Sequence, residues 1–301
     1  MKKRHRTLKI MAILFLGAML MASSVSSASA APRLFGTLGK GGTISTLVEL
    51  NPATGALVRT IGSVGYAVNG LAYDATTGKL YGATSYNDPS YHGLIEINMT
   101  TGAGTAVGTE GWGLCTSDRC AMVCLAANSE GELYAWWEPG EDDLVSIDKN
   151  TGIATRIGES DVGTGEQGLA FNNSGSLYLF NYEGDYYTIN TGTGASTYID
   201  TVDLEGDLAH HGVFHPTSGL YYGINAAIAD VPRFLKLINL STGTLISTLP
   251  TVANLHTLAF LPEGGPQLAI PTFSEWGMIV LSLLLAGLAV FRMRKSGQIP
   301  A

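Results

Sequence analysis

Val48-Glu49-Leu50-Asn51-Pro52-Ala53-Thr54-Gly55 reads as a hydrophobic strand that ends on Asn and turns back at Thr-Gly. The phrase returns as Ile95-Glu96-Ile97-Asn98-Met99-Thr100-Thr101-Gly102 and as Val145-Ser146-Ile147-Asp148-Lys149-Asn150-Thr151-Gly152. Thr188-Ile189-Asn190-Thr191-Gly192-Thr193-Gly194 and Leu237-Ile238-Asn239-Leu240-Ser241-Thr242-Gly243 complete the set. The final glycines lie 47, 50, 42 and 49 residues apart. Each phrase predicts a hairpin in which Asn or Asp starts the turn through its side chain and Gly takes the left-handed position.

A second phrase alternates with the first. Gly70-Leu71-Ala72-Tyr73-Asp74 leads through Thr77-Gly78 to Leu80-Tyr81-Gly82. Its counterparts are Cys124-Leu125-Ala126-Ala127-Asn128 to Leu133-Tyr134, and Gly168-Leu169-Ala170-Phe171-Asn172 to Leu177-Tyr178. A looser copy, Gly212-Val213-Phe214-His215, precedes Leu220-Tyr221. Each period thus holds four strands, the last ending near Ile61-Gly62, Val107-Gly108 or Ile157-Gly158. Four short strands every 40 to 50 residues are the sequence signature of a β-propeller blade. The chain opens at Leu34-Phe35-Gly36, which matches the second strand of a blade, and the missing innermost strand returns as Leu258-Ala259-Phe260-Leu261. The expected fold is therefore all-β: a five-bladed propeller of four-stranded blades over residues 31–265, closed by a split first blade. An open solenoid would not need the split. The pattern resembles the broad group of bacterial extracellular propellers with repeated Ala-Tyr-Asp and Thr-Gly turns, a group that carries many functions.

Composition agrees. Charged residues are 14% of the 301, against about 25% in an average domain, and Gly is 38 of 301. Between positions 31 and 272 there are nine basic and 24 acidic residues, a net charge of −15. Such a body repels phosphate backbones, which argues against a nucleic-acid partner.

The two ends read as addresses. Residues 1–30 have a basic start (Lys2, Lys3, Arg4, Arg6, Lys9), a 13-residue apolar run over 10–22, and small residues Ser27-Ala28-Ser29-Ala30 for cleavage. This is a signal peptide read by the secretion translocon, and the run is too short to span a bilayer comfortably. At the other end, within 266–301, Ile270-Pro271-Thr272-Phe273-Ser274-Glu275-Trp276-Gly277 precedes an apolar segment over 277–291 and the basic end Arg292-Met293-Arg294-Lys295. Residues 276–291 would make roughly 24 Å of helix, thin against a hydrocarbon core of about 30 Å. The basic end would stay cytoplasmic and leave the acidic body outside the inner membrane.

This order of motif, transmembrane helix and basic end closely resembles the IPTL-CTERM sorting signal of Gram-negative bacteria. Phe273 stands where that family usually has Leu; the Ile-Pro-Thr and Glu-Trp-Gly parts match. The resemblance implies an exosortase-type processing enzyme that cleaves near the motif. It also implies an inner-membrane-anchored precursor that passes to the cell surface or extracellular matrix.

Chemistry is sparse in the body. Cys115, Cys120 and Cys124 lie together, and in an oxidising compartment one disulfide is expected among them, with the pairing open and one thiol left over. Registering the innermost strands on their Leu-Ala-aromatic positions places Asn69, Val123, Gln167, His210 and His256 at one level of the channel. Gly70, Cys124, Gly168, His211 and Thr257 form the next. The candidate ligand site is that mouth, with Asn69, Gln167, His210, His211 and His256 as its residues and Glu166 and Asp207 close in sequence. His210 and His256, from neighbouring blades, are the candidate ligands of a divalent metal, because neutral imidazole offers a nitrogen lone pair. The alternative is a polar mouth with no ligand. Trp112, Trp136 and Trp137 would suit a sugar-stacking surface or interblade packing. Adjacent strand residues face opposite ways, so at most one of Trp136 and Trp137 should face the core. Asp142-Asp143 lacks the spacing of a calcium loop and reads as a solvated turn. No Ser-His-Asp set, phosphate loop or H-E-x-x-H motif is visible.

The functional expectation is a non-catalytic surface or matrix protein for display, interaction or binding, with a surface polysaccharide or another surface protein as partner. A lactonase- or glycosidase-like propeller enzyme, or a metal- or carbohydrate-binding module using the channel mouth, is the alternative.

Overall fold

The computed structural model describes residues 31–39, 42–114, 121–138, 142–162, 168–207, 209–225 and 233–262. They form five four-stranded antiparallel sheets, with no helix among the described residues. Blade 1 holds β1 (Arg33–Leu38), β2 (Thr46–Leu50) and β3 (Leu57–Ser63). Blade 2 runs through β4 (Val68–Asp74), β5 (Lys79–Thr84), β6 (Leu94–Ile97) and β7 (Gly104–Ala106). Blade 3 is β8 (Ala121–Ala127), β9 (Leu133–Glu138), β10 (Asp143–Ile147) and β11 (Ala154–Glu159). Blade 4 is β12 (Gly168–Phe171), β13 (Leu177–Phe180), β14 (Asp185–Ile189) and β15 (Ser196–Thr201). Blade 5 is β16 (Ala209–Phe214), β17 (Tyr221–Asn225), β18 (Arg233–Asn239) and β19 (Thr244–Thr251). The last strand, β20 (Leu255–Leu261), pairs with β1 and supplies the innermost strand of blade 1. Its register sets Leu34 opposite Phe260 and Gly36 opposite Leu258, and the Thr37 and Thr257 hydroxyls share a buried 2.7 Å hydrogen bond. The innermost strands touch one another in the closed cycle β20, β4, β8, β12, β16.

The repeated turns form as their residues dictate. In all five, the side chain of Asn51, Asn98, Asp148, Asn190 or Asn239 accepts a hydrogen bond from the backbone N–H two residues on, at 2.8 to 3.0 Å. Gly55 and Gly102 close their turns at φ 72° and 86°, a region costly for residues with a Cβ. In the looser copy His215 does the work of Asp74: its Nδ1 accepts from the N–H groups of Thr217 and Ser218.

Among the described residues there is no central core. Five apolar clusters lie at the five blade interfaces. Leu80 faces blade 1 with Phe35 and Leu47, while the next residue, Tyr81, faces blade 3 with Met122 and Leu133. Strand alternation therefore supplies both faces of a blade with apolar side chains. This corrects the expectation for Trp136 and Trp137. Trp136 is fully buried toward blade 4 and Trp137 is half-buried toward blade 2, because neither face of a blade is free.

The two sequence phrases meet across these interfaces. The Tyr of one blade's second strand makes an edge-to-face contact with the aromatic of the next blade's innermost strand. The pairs are Tyr134–Phe171, Tyr178–Phe214 and Tyr222–Phe260, with centroids 5.5, 5.4 and 5.2 Å apart. Further out, backbone meets backbone. A Cβ on Gly62 would stand 2.0 Å from Thr101 O, and one on Gly158 would stand 2.1 Å from Thr193 O. The Gly that ends an outer strand therefore docks on the Thr-Gly turn of the next blade.

Two outcomes follow for stability. Gly62→Ala should cost about 1–3 kcal/mol by overpacking, whereas Gly192→Ala, whose Cβ would meet nothing closer than 3.4 Å, should be nearly neutral; thermal melts of both variants check this. A chain ending at Asn254 should melt lower and less sharply than one ending at Pro262, since only the first lacks the strand that closes the ring.

Candidate functional site

The innermost strands are not regular at the level the alignment singled out. The ladder of β4 slips between Val68 and Gly70, that of β8 between Met122 and Cys124, and that of β20 at His256, so Asn69, Val123 and His256 are each the extra residue of a β-bulge. In β16 the slip falls one residue later, at His211, which is held at φ 38°. Bulges re-aim side chains at the rims of closed sheets. Here they bring imidazoles from neighbouring blades together. The ring centroids are 4.8 Å apart for His210–His211, 5.7 Å for His210–His256 and 4.8 Å for His211–His256. His210 and His211 are buried, and His256 is half-buried in a crowded setting.

A guanidinium sits against this cluster. Arg233 Nη1 donates to Asn225 O at 2.5 Å and lies 3.2 Å from His210 Nε2. A guanidinium only donates, so Nε2 is the acceptor and its lone pair is taken. Burial first, then Arg233, and for His210 and His211 also the neighbouring imidazoles, push all three histidines below their ordinary pKa, His256 to about 4. They are neutral at pH 7. The expected pairing of His210 and His256 around a divalent cation does not fit these contacts. His210 has no second lone pair to give, and the cation would meet the Arg233 charge. Among the described residues no group of three or more His, Cys, Asp or Glu is arranged to hold a metal.

Of the five residues assigned to this mouth, the structure brings His210, His211 and His256 together. Asn69 occupies the corresponding bulge of β4, half-buried, and Gln167 lies outside the described residues. Arg233 was not foreseen, because nothing in β18 departs from a strand pattern. Tyr221 was foreshadowed by the looser copy, where Gly212 stands in the Leu position of the other blades. The Tyr221 ring fills that space, 2.3 Å from where a Gly212 Cβ would be, with its hydroxyl against Gly168. That hydroxyl is buried without a hydrogen-bond partner among the described residues, and burial raises its pKa.

Below the histidines the axis narrows to a void of about 10 Å³ among Gly70, Cys124, His211 and Thr257, room for about one water. At the far end of the innermost strands it opens into a cavity of about 240 Å³ lined by all five blades. Along the axis the innermost strands carry bulky imidazoles at one end and Ala72, Ala126 and Ala170 at the other.

The remaining candidates resolve as follows. Cys124 is buried and outside any disulfide, its thiol kept protonated by desolvation; Cys115 and Cys120 lie outside the described residues. Trp112 and Trp136 are buried, so the three tryptophans form no sugar-stacking surface. Asp142-Asp143 is not a solvated turn: Asp143 is wholly buried and ion-paired with Arg156 at 2.5 Å. The signal peptide (1–30) and the sorting tail (266–301) lie outside the described residues. No helix among the described residues is long and apolar enough to cross a membrane.

Fold and motif together define an exported β-propeller. Residues 269–295 match the IPTL-CTERM motif, so this propeller carries an exosortase-type sorting signal at its C-terminal end. No curated protein shows significant sequence similarity to the chain. Similar solved structures include hydrazine synthase of Kuenenia stuttgartiensis, at 13% identity and a TM-score of 0.40, covering 61% of this chain and 49% of that one. Glutaminyl cyclase of Myxococcus xanthus matches at 15% and 0.44, covering 62% and 72%. A protein of unknown function from Bacteroides thetaiotaomicron matches at 14% and 0.41, covering 68% and 48%. The chain spans about half the length of the hydrazine synthase chain it matches.

The histidine cluster makes a pH prediction. Its folded pKa values lie below the unfolded value near 6.5, so the unfolded chain takes up protons first and stability falls as pH drops from about 6.5 toward 4. His256 alone should cost about 2 kcal/mol by pH 4.5. Thermal melts between pH 7 and 4.5 should show a smaller fall for His256→Gln than for the unaltered protein.

Proposed function

We propose that the protein is a non-catalytic display or binding propeller of the bacterial cell surface or extracellular matrix. It is delivered there from an inner-membrane precursor by an exosortase-type enzyme acting on the segment around Ile270 to Gly277. The observation that carries this reading is the union in one chain of a closed propeller and an IPTL-CTERM motif at residues 269–295. A closed ring presents its outer strands and turns to solvent, which suits display, and its surplus of acidic residues favours solubility outside the membrane. The imidazoles at the axis are crowded, and the lone pair of His210 Nε2 is taken by Arg233 and so is not free to act as a base.

The test is mass spectrometry of protein extracted from the cell surface. The mature chain should lack residues 278–301, and in a host without the processing enzyme the full-length precursor should accumulate in the inner membrane. Recovery of the intact tail in mature surface protein would overturn the sorting part of this reading.

A further inference from the structure

The cavity opposite the histidines has a specific shape, set by one departure from the repeat. Each blade presents one residue at the end of its Leu-Ala-aromatic strand. These are Tyr73, Ala127, Phe171, Phe214 and Phe260, and all five line the cavity. Four are aromatic. At three interfaces the ring is braced edge-to-face by a Tyr of the preceding blade. In blade 3 the ring is missing: Ala127 packs, half-buried, beside the cluster that holds Tyr81, and among the described residues no ring stands edge-to-face with that tyrosine. The cavity is therefore lined by an aromatic residue from four blades, Tyr73 and Phe171 half-buried and Phe214 and Phe260 buried against their neighbours, and by Ala127 from the fifth. Its volume of about 240 Å³ falls just below the roughly 300–1,000 Å³ of drug-sized ligand sites, so it suits a single ring.

The chemistry of the lining narrows the ligand. None of the lining residues is Asp, Glu, Lys, Arg or His, although the surrounding body carries a net −15. An anionic ligand is repelled by the body, and a cation finds no counter-charge in the cavity. Polar groups stand at the rim. The Tyr73 and Ser129 hydroxyls and Asn173 Oδ1 make no hydrogen bond to other described residues, while Asn173 Nδ2 is anchored on Pro216 O at 2.8 Å. Apolar walls that include the half-buried rings of Tyr73 and Phe171, below uncharged donors and acceptors, match a molecule with C–H faces and hydroxyl edges.

We infer that this mouth is a binding site for a neutral pyranose, such as the terminal sugar of an uncharged surface glycan. The sugar ring enters the gap left at Ala127, stacks on the aromatic wall, and hydrogen-bonds at the rim to Tyr73, Ser129 and Asn173. The inference rests on the non-catalytic surface reading, and names its partner.

Saturation-transfer NMR on the full-length protein in a sugar-free detergent tests it. The probes are glucose, galactose, mannose and N-acetylglucosamine, with glucuronate as the charged comparison. Transfer is expected to ring C–H protons of at least one neutral sugar and not to glucuronate. Ala127→Phe, which completes the aromatic wall, should weaken binding at least tenfold with an unchanged melt, and Ala127→Ser, which keeps the gap, should retain it. Tyr73→Leu gives a second loss of binding should Ala127→Phe fail to fold. Silence from every neutral sugar, an equal response from glucuronate, or undiminished binding by folded Ala127→Phe would each overturn the site. Chemical conversion of the sugar in the same tube would support the site and overturn the non-catalytic reading instead.

Discussion

The antiparallel pairing of β20 with β1 is the constraint on which the rest of the structure depends. It joins residues 220 positions apart in sequence at the Thr37–Thr257 hydrogen bond. Without it β1 would keep an unpaired inner edge and the innermost strands would form an open row. With it they form a cycle, and equivalent positions of the repeat are forced onto one axis. Both mouths of the channel exist only because that cycle closes.

Closure also explains the two kinds of contact between blades. Each blade must offer apolar side chains on both faces, since both faces meet a neighbour. Near the axis the spacing is set by aromatic rings, as in Tyr134 against Phe171. Farther out it is set by peptide groups in van der Waals contact, which leaves no room for a side chain at Gly62 or Gly158. These are the glycines that recur at the ends of the outer strands, so the composition and the ring geometry have one cause. Packing density at these interfaces makes even one added methyl group costly.

The axis shows how a small break in a repeat becomes a site. Bulges in the innermost strands turn three imidazoles toward one another, and Arg233 keeps them neutral by charge as well as by burial. At the other end Ala127 stands where the other four blades place an aromatic residue around the cavity. Neither feature needs a new element of structure. The first is a bulge shared by several innermost strands that carries histidines in two of them, and the second is a single change of residue type at a repeated position.

The sequence by itself determined the strand count per blade, the five-blade ring, the split first blade and the sorting motif. All of these are written in local turn chemistry and in the spacing of repeats, which a linear chain carries directly. The Asn51 and Gly55 turn and the Leu-Ala-aromatic alternation leave few other ways to fold. The alignment of innermost strands also brought His210 and His256 to one level, with His211 at the next. Only the tertiary structure decided what that level can do. The position of Arg233, the exact residue that bulges, the burial of Asp143 and the Tyr221 ring lying over Gly212 depend on which side chains meet across blade boundaries. The size of each mouth depends on them too. Such meetings join residues distant in sequence through packing in three dimensions, and no periodicity along the chain records them.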